Sequence, residues 1–151
     1  MFVRTLFALC TFAALAMAAN PMDGTWKLNA GKSKYVGVPQ PKDLTVTYTS
    51  QGEGWAYEGK GTSATGDPIN MTFAYAKDEE DIKLTGYPYA DTLVLKNGKS
   101  NVGTGTFKRE GKPIGTVKRT ISADGKTMTV EGRLTLADGK KARYTSVYDK
   151  Q

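Results

Sequence analysis

The chain has 151 residues, with 21 Lys and Arg against 15 Asp and Glu, a formal charge of +6, one Cys and no His. That length sets a prior of one domain, and the lack of imidazole beside a single thiol excludes the usual zinc, copper and haem-iron ligand sets as well as Ser-His and Cys-His nucleophile pairs. The basic residues are spread through turn segments (Lys32, Lys34, Lys60, Lys96, Lys99, Lys112, Lys126, Lys140, Lys141) and not gathered into one block, which describes a solvated surface and no nucleic-acid-binding block, with an anionic partner as the sharper alternative.

Residues 1–18 read as a secretory signal. Arg4 gives a basic start, Leu6–Leu15 an apolar run and Ala16-Met17-Ala18 a small-x-small ending. The run is short of the roughly 20 apolar residues of a spanning helix, so no stable membrane anchor is expected. Cys10 lies inside the run behind Leu9, which is not the setting of a lipid-attachment cysteine. Cleavage would leave residues 19–151 as one domain without a thiol, exported to the periplasm or beyond, and a bacterial source fits best. Its core must then hold without disulfides, as about 130 residues can.

Downstream, Asp23–Leu28 predicts a short first strand. Asn29–Pro41, with two Gly, two Pro and no helical period, predicts a loop crossing one end of the molecule. Lys42–Ser50 alternates Leu44, Val46 and Tyr48 against Thr45, Thr47 and Thr49, one dry face and one wet face. After the turn Gln51–Gly54, Trp55 and Tyr57 share a face, and beyond Thr65–Pro68 the residues Ile69, Met71, Phe73 and Tyr75 share another. Asp78–Asp81 reads as a solvated turn, since four adjacent acids lack the alternating spacing of a calcium loop. Ile82–Thr85 and Asp91–Lys96 are short strands around Gly86-Tyr87-Pro88-Tyr89, whose Pro marks a kink or an edge.

Asn97-Gly98 predicts a hairpin turn, and Ser100–Glu110 a strand that Gly103 and Gly105 allow to bend or to approach another backbone. Pro113–Ser122, Lys126–Leu136 and Lys140–Lys150 form the clearest block, joined by two Ala-Asp-Gly-Lys turns in which Asp and Gly both tolerate positive φ. In the middle strand Met128, Val130, Leu134 and Leu136 fall on one face, with Thr127, Thr129, Glu131, Arg133 and Thr135 on the other. About ten strands with short turns predict an all-β antiparallel up-and-down meander with little or no helix, closed into a barrel that leaves no exposed edge. None of the 17 glycines forms a Gly-x-x-x-x-Gly-Lys phosphate loop.

Gly24-Thr25-Trp26 resembles the Gly-x-Trp signature of lipocalins and of their relatives the fatty-acid-binding proteins and avidins, the calycin group. Phe107–Lys112, Val117–Ile121, Asp124–Lys126 and Tyr148–Lys150 are similar to the closing strands of a fatty-acid-binding protein. The resemblance implies a lipocalin-like barrel with Trp26 across its closed end against a late basic side chain. Antiparallel pairing of first and last strands makes Lys150 that side chain in preference to Arg143. Two departures stand out: residues 29–41 cannot hold the family's helical portal, and Ser146 occupies the place of an Arg that grips a carboxylate. Arg119 matches the family's other internal Arg.

What the resemblance implies is a binding module without enzyme activity or cofactor, for a small hydrophobic or amphipathic molecule, neutral or anionic. The inward phase carries Tyr48, Tyr57, Phe73, Tyr75, Phe107, Tyr144 and Tyr148 as candidate ligand contacts. The same side chains could instead fill a small barrel completely, leaving a structural or protein-interaction domain that presents its Thr ladders or Tyr87-Pro88-Tyr89 to a partner. Arg119 shares a face with Gly115, Val117 and Ile121, which points it inward, where tyrosines such as Tyr144 could accept from it and a ligand carboxylate could take its remaining donors. A one-residue bulge at Lys118-Arg119 would turn it outward.

Overall fold

The computed structural model describes residues 20–151, and the secretory signal expected over residues 1–18 lies outside them. Eleven strands follow one another with no helix among the described residues. They are β1 (Gly24–Leu28), β2 (Lys34–Val36), β3 (Asp43–Gln51), β4 (Gly54–Thr62), β5 (Pro68–Tyr75), β6 (Asp81–Lys83), β7 (Thr92–Lys96), β8 (Val102–Arg109), β9 (Lys112–Ile121), β10 (Thr127–Thr135) and β11 (Lys141–Lys150). Hydrogen bonding runs β5-β4-β3-β1-β11-β10-β9-β8-β7-β6, every pairing antiparallel, so the meander wraps until its two outer strands meet. That last seam is slight. Thr72 and Thr85 exchange a pair of backbone bonds, each 3.0 Å, in an isolated bridge.

The first connection departs from the expected loop. β1 and β2 lie end to end along the same edge of β11, Trp26 to Leu28 opposite Lys150 to Tyr148, and Lys34 to Val36 opposite Thr145 to Arg143. β11 is twice as long as β1, and its first half would otherwise present unpaired amides and carbonyls. Between the two short strands the chain pinches out at Ala30–Lys32, while the Ser33 hydroxyl accepts from the Val147 amide at 2.9 Å and donates to the Asn29 carbonyl at 2.7 Å. A side chain thus bridges the gap in the ladder.

The Ala-Asp-Gly-Lys turns also differ in detail. Only the glycines, Gly125 at φ 69° and Gly139 at φ 82°, take the left-handed conformation. Asp124 and Asp138 instead accept from the amides two residues on, Lys126 and Lys140, each at 3.0 Å, so the carboxylate closes an Asx turn and does not itself need a positive φ. At Asn97-Gly98 the order is reversed, with Asn97 at φ 54°.

Strand register separates two ends. Turns after β2, β4, β6, β8 and β10 gather at one, and turns after β3, β5, β7 and β9 at the other, with the residues before β1 and the end of β11. The second end is closed. Met22, Trp26 and Met128 have no solvent exposure there. The Trp26 indole donates to the Met22 carbonyl at 2.8 Å, and Lys150 Nζ sits 5.0 Å from the Trp26 ring centre, a cation-π contact. Gly24 has φ 120°, a conformation open to glycine, and a side chain there would press on Lys150 Cε at 3.3 Å.

Candidate functional site

The inward faces of the strands do not meet in the middle. They enclose a cavity of about 600 Å³ that opens among Val38–Pro41, Ser63–Asp67 and Gly86–Tyr89, at the end opposite Trp26. A barrel packed to interior density would leave no such space, which weighs against the completely filled core.

One wall is built by alternation on β3, β4 and β5. Tyr57 stacks on its cross-strand partner Phe73 at 4.4 Å, and Tyr48 meets Tyr57 edge-on at 5.3 Å. The facing wall holds Tyr87 stacked on Phe107 at 5.2 Å and Tyr35 stacked on Tyr144 at 5.8 Å, geometries that stabilise aromatic pairs beyond the area they bury. Tyr144 fits because Gly132 lies opposite it on β10: a Cβ at Gly132 would come within 2.2 Å of its ring.

The floor is polar. Arg119 is only 7% exposed, and the β9 ladder runs through it without interruption, pairing Arg119 with Val130 on one side and Gly103 on the other. The expected bulge at Lys118-Arg119 is absent; the one irregularity of this sheet region lies on β8 between Phe107 and Lys108. Arg119 therefore faces the lumen. Its Nη2 donates to the carbonyls of Gly98 at 3.1 Å and Ser100 at 3.0 Å, its Cζ lies 5.8 Å from the Trp55 ring centre, and its buried Nε has no partner among the described residues. Tyr144 is not among its acceptors, which are backbone carbonyls of the β7–β8 turn. Burial lowers the Arg119 pKa, opposed by Tyr48 beside it. No salt bridge among the described residues includes Arg119.

The β7–β8 turn that supplies these carbonyls is held from below. Asp78 accepts from the amides of Asn97 and Gly98, both at 2.9 Å, and from the Tyr75 hydroxyl at 2.8 Å. Trp55 Nε1 donates to the same Gly98 carbonyl at 3.1 Å. The Gly98 amide bond, ahead of burial acting the other way, lowers the Asp78 pKa. Asp78 thus belongs to a solvated turn, as its acidic surroundings predict, and also fixes the floor of the lumen.

The described chain superposes on the crystal structure of zebrafish ileal bile acid-binding protein complexed with cholic acid, with a TM-score of 0.53 over 87% of this chain and 99% of that one. The fold is that of a calycin-like barrel. Sequence identity is 12%, so the likeness speaks to fold, and no family model and no curated protein matches the chain.

Within the lumen, Tyr48, Tyr57, Phe73, Phe107, Arg119, Tyr144 and Tyr148 all line the cavity. Tyr75 does not. It is buried against Trp55 at 5.0 Å, beneath the floor, where its hydroxyl is taken by Asp78. The barrel-end pair Trp26 and Lys150 lies apart from the cavity, directly cross-strand. Sequence reasoning did not place Tyr35 in the lumen and read Tyr87-Pro88-Tyr89 as a turn offered to a partner, whereas Tyr35, Tyr87 and Tyr89 also line the lumen. Tyr35 belongs to the strand read as a loop. Tyr87-Pro88-Tyr89 turns in at the mouth because Phe107, on another strand, offers a stacking face, and Arg109 Nη2 holds the Tyr89 carbonyl at 2.6 Å. No local alternation marks Tyr35, because its strand is only three residues long. Ser146 is buried and bonded to the Tyr35 hydroxyl, so this wall is uncharged where fatty-acid-binding proteins were expected to carry an Arg.

Proposed function

We propose that the chain is an exported, non-enzymatic binding protein that holds a small amphipathic anion in the barrel lumen, with Arg119 as its counter-ion at the floor. The observation that carries this reading is the cavity of about 600 Å³, within the size range of small-molecule sites, on whose floor stands a buried guanidinium without an acidic partner. Such a charge is costly to leave unpaired, and a ligand carboxylate or sulfonate would form charge-assisted bonds with it. Asp67, at the mouth, is the only carboxylate along the lining, so no pair of carboxyl groups converges there for acid-base work. The bile acid-binding protein complexed with cholic acid supports small-molecule binding in a barrel of this shape.

A fluorescent fatty acid titrated into the parent and into Arg119→Gln tests the anchor. The expected result is binding by the parent and an affinity at least about tenfold weaker in the variant, the scale of a lost charge-assisted bond. Equal affinities, or no binding by either, would overturn it. Export is supported by the Arg4, Leu6–Leu15, Ala16-Met17-Ala18 pattern. Amino-terminal sequencing of the protein recovered outside the cytoplasm should begin at Ala19; an intact Met1 would refute cleavage.

A further inference from the structure

Seven of the eight tyrosines, all but Tyr75, line the lumen. Apart from Asp67 at the mouth, charge enters the lining only through Arg119. These phenols are not satisfied by one another. Tyr35 is bonded to Ser146, and the Tyr87 and Tyr144 hydroxyls approach to a long 3.4 Å. Tyr48 lies against Arg119 and Tyr148 beside Ser146, whereas the Tyr57 and Tyr89 hydroxyls have no partner among the described residues. The Tyr57 hydroxyl is positioned over Gly59, where a Cβ would come within 2.8 Å of it, so the strand leaves room for the polar end of the ring.

An alkyl chain filling this space would leave several phenols dry and unpaired, each at a cost comparable to a lost hydrogen bond. A ligand that carries oxygen atoms along its edges would engage them. The walls are flat aromatic pairs, Tyr57 on Phe73 and Tyr87 on Phe107, faces that suit a planar ring. From this we infer that the ligand class is a rigid, polyoxygenated ring system bearing one acidic group, and not a saturated acyl chain. The inference rests on the lumen being the binding site. Burial raises the pKa of Tyr57, Tyr89, Tyr144 and Tyr148, so at neutral pH these hydroxyls are uncharged and can both donate and accept.

Calorimetric titration with three probes decides the matter: a tetrahydroxyflavone carboxylate, the same flavone carboxylate without its hydroxyls, and palmitate. The hydroxylated probe is expected to bind at least about tenfold tighter than either other, the scale of one or two satisfied buried donors. Tyr57→Phe with Tyr89→Phe, which keeps both rings and both packing shapes, should erase most of that margin. Palmitate or the bare flavone carboxylate binding as tightly as the hydroxylated probe would overturn the ligand class and leave the luminal site standing. Binding by none of the three would overturn both. A hydroxylated-probe margin that survives in the double variant would also overturn the inference, since the hydroxyls credited with it would be idle.

Discussion

Trp26 is where the residue-scale account is most exposed to test. Its side chain has no solvent contact, its indole nitrogen is bonded to the Met22 carbonyl and its ring faces Lys150, so nothing is positioned to fill the space it would vacate. Trp26→Ala should cost about 3 to 5 kcal/mol, the range for emptying a large aromatic site, measured as the shift in denaturant midpoint at constant slope. A midpoint within error of the parent would place Trp26 outside the barrel's closed end. This pairing was legible in the sequence, because antiparallel first and last strands leave one basic residue opposite the tryptophan. Arg119 was half legible: period-two alternation gives its direction, but its acceptors, the Gly98 and Ser100 carbonyls, come from a turn about 20 residues away in sequence, and no local pattern announces them. Tyr144 was legible as an inward ring and not as the partner of Tyr35, which depends on a strand the sequence disguises.

Among elements, the β7–β8 turn shows how a surface carboxylate can act on the lumen. Asp78 ties down two amides of this turn from the loop after β5, and the same turn offers the carbonyls that hold Arg119. Asp78→Ala should lower stability by about 1 kcal/mol, the net worth of bonds that solvent can partly replace, with a weaker grip on any luminal anion as a second consequence. The pH dependence has a definite sign. Because the folded-state pKa of Asp78 is depressed, its contribution is fully present above the ordinary carboxylate range and is lost as pH falls through the folded value. Thermal melts of parent and variant should therefore differ at pH 7 and converge once pH falls below the depressed folded-state pKa of Asp78; a gap that persists in strong acid would mean the carboxylate charge is not the cause. The strands themselves were read from alternation almost to the residue in the last three, where both faces are distinct. β2 was missed because three residues flanked by Gly and Pro carry too short a period to register, and only the uncovered half of β11 explains why they pair.

For the whole molecule, an all-β meander closing on itself followed from short turns and unpaired edges, and the calycin likeness agrees with it over 87% of the chain. What the alternation pattern could not convey is volume. The same inward aromatics are compatible with a packed interior or with a lumen, and the choice depends on barrel girth, set by how β5 meets the segment just after β6 at the Thr72 and Thr85 bridge. Nor could it show polarity by position, with the closed end dry around Met22, Trp26 and Met128 and the cavity above Arg119 ringed by phenols. The central claim is that this interior, and not the outer face, takes the ligand. Amide correlation NMR spectra recorded while the anionic amphipath anilinonaphthalene sulfonate is added test it most directly. The account predicts saturable shifts at lumen-lining positions on both walls and at the floor, including Tyr57, Phe73, Phe107 and Arg119, with outward neighbours such as Thr47, Thr104 and Arg133 little moved. Shifts confined to the outward residues, or no saturable shifts at all, would contradict it.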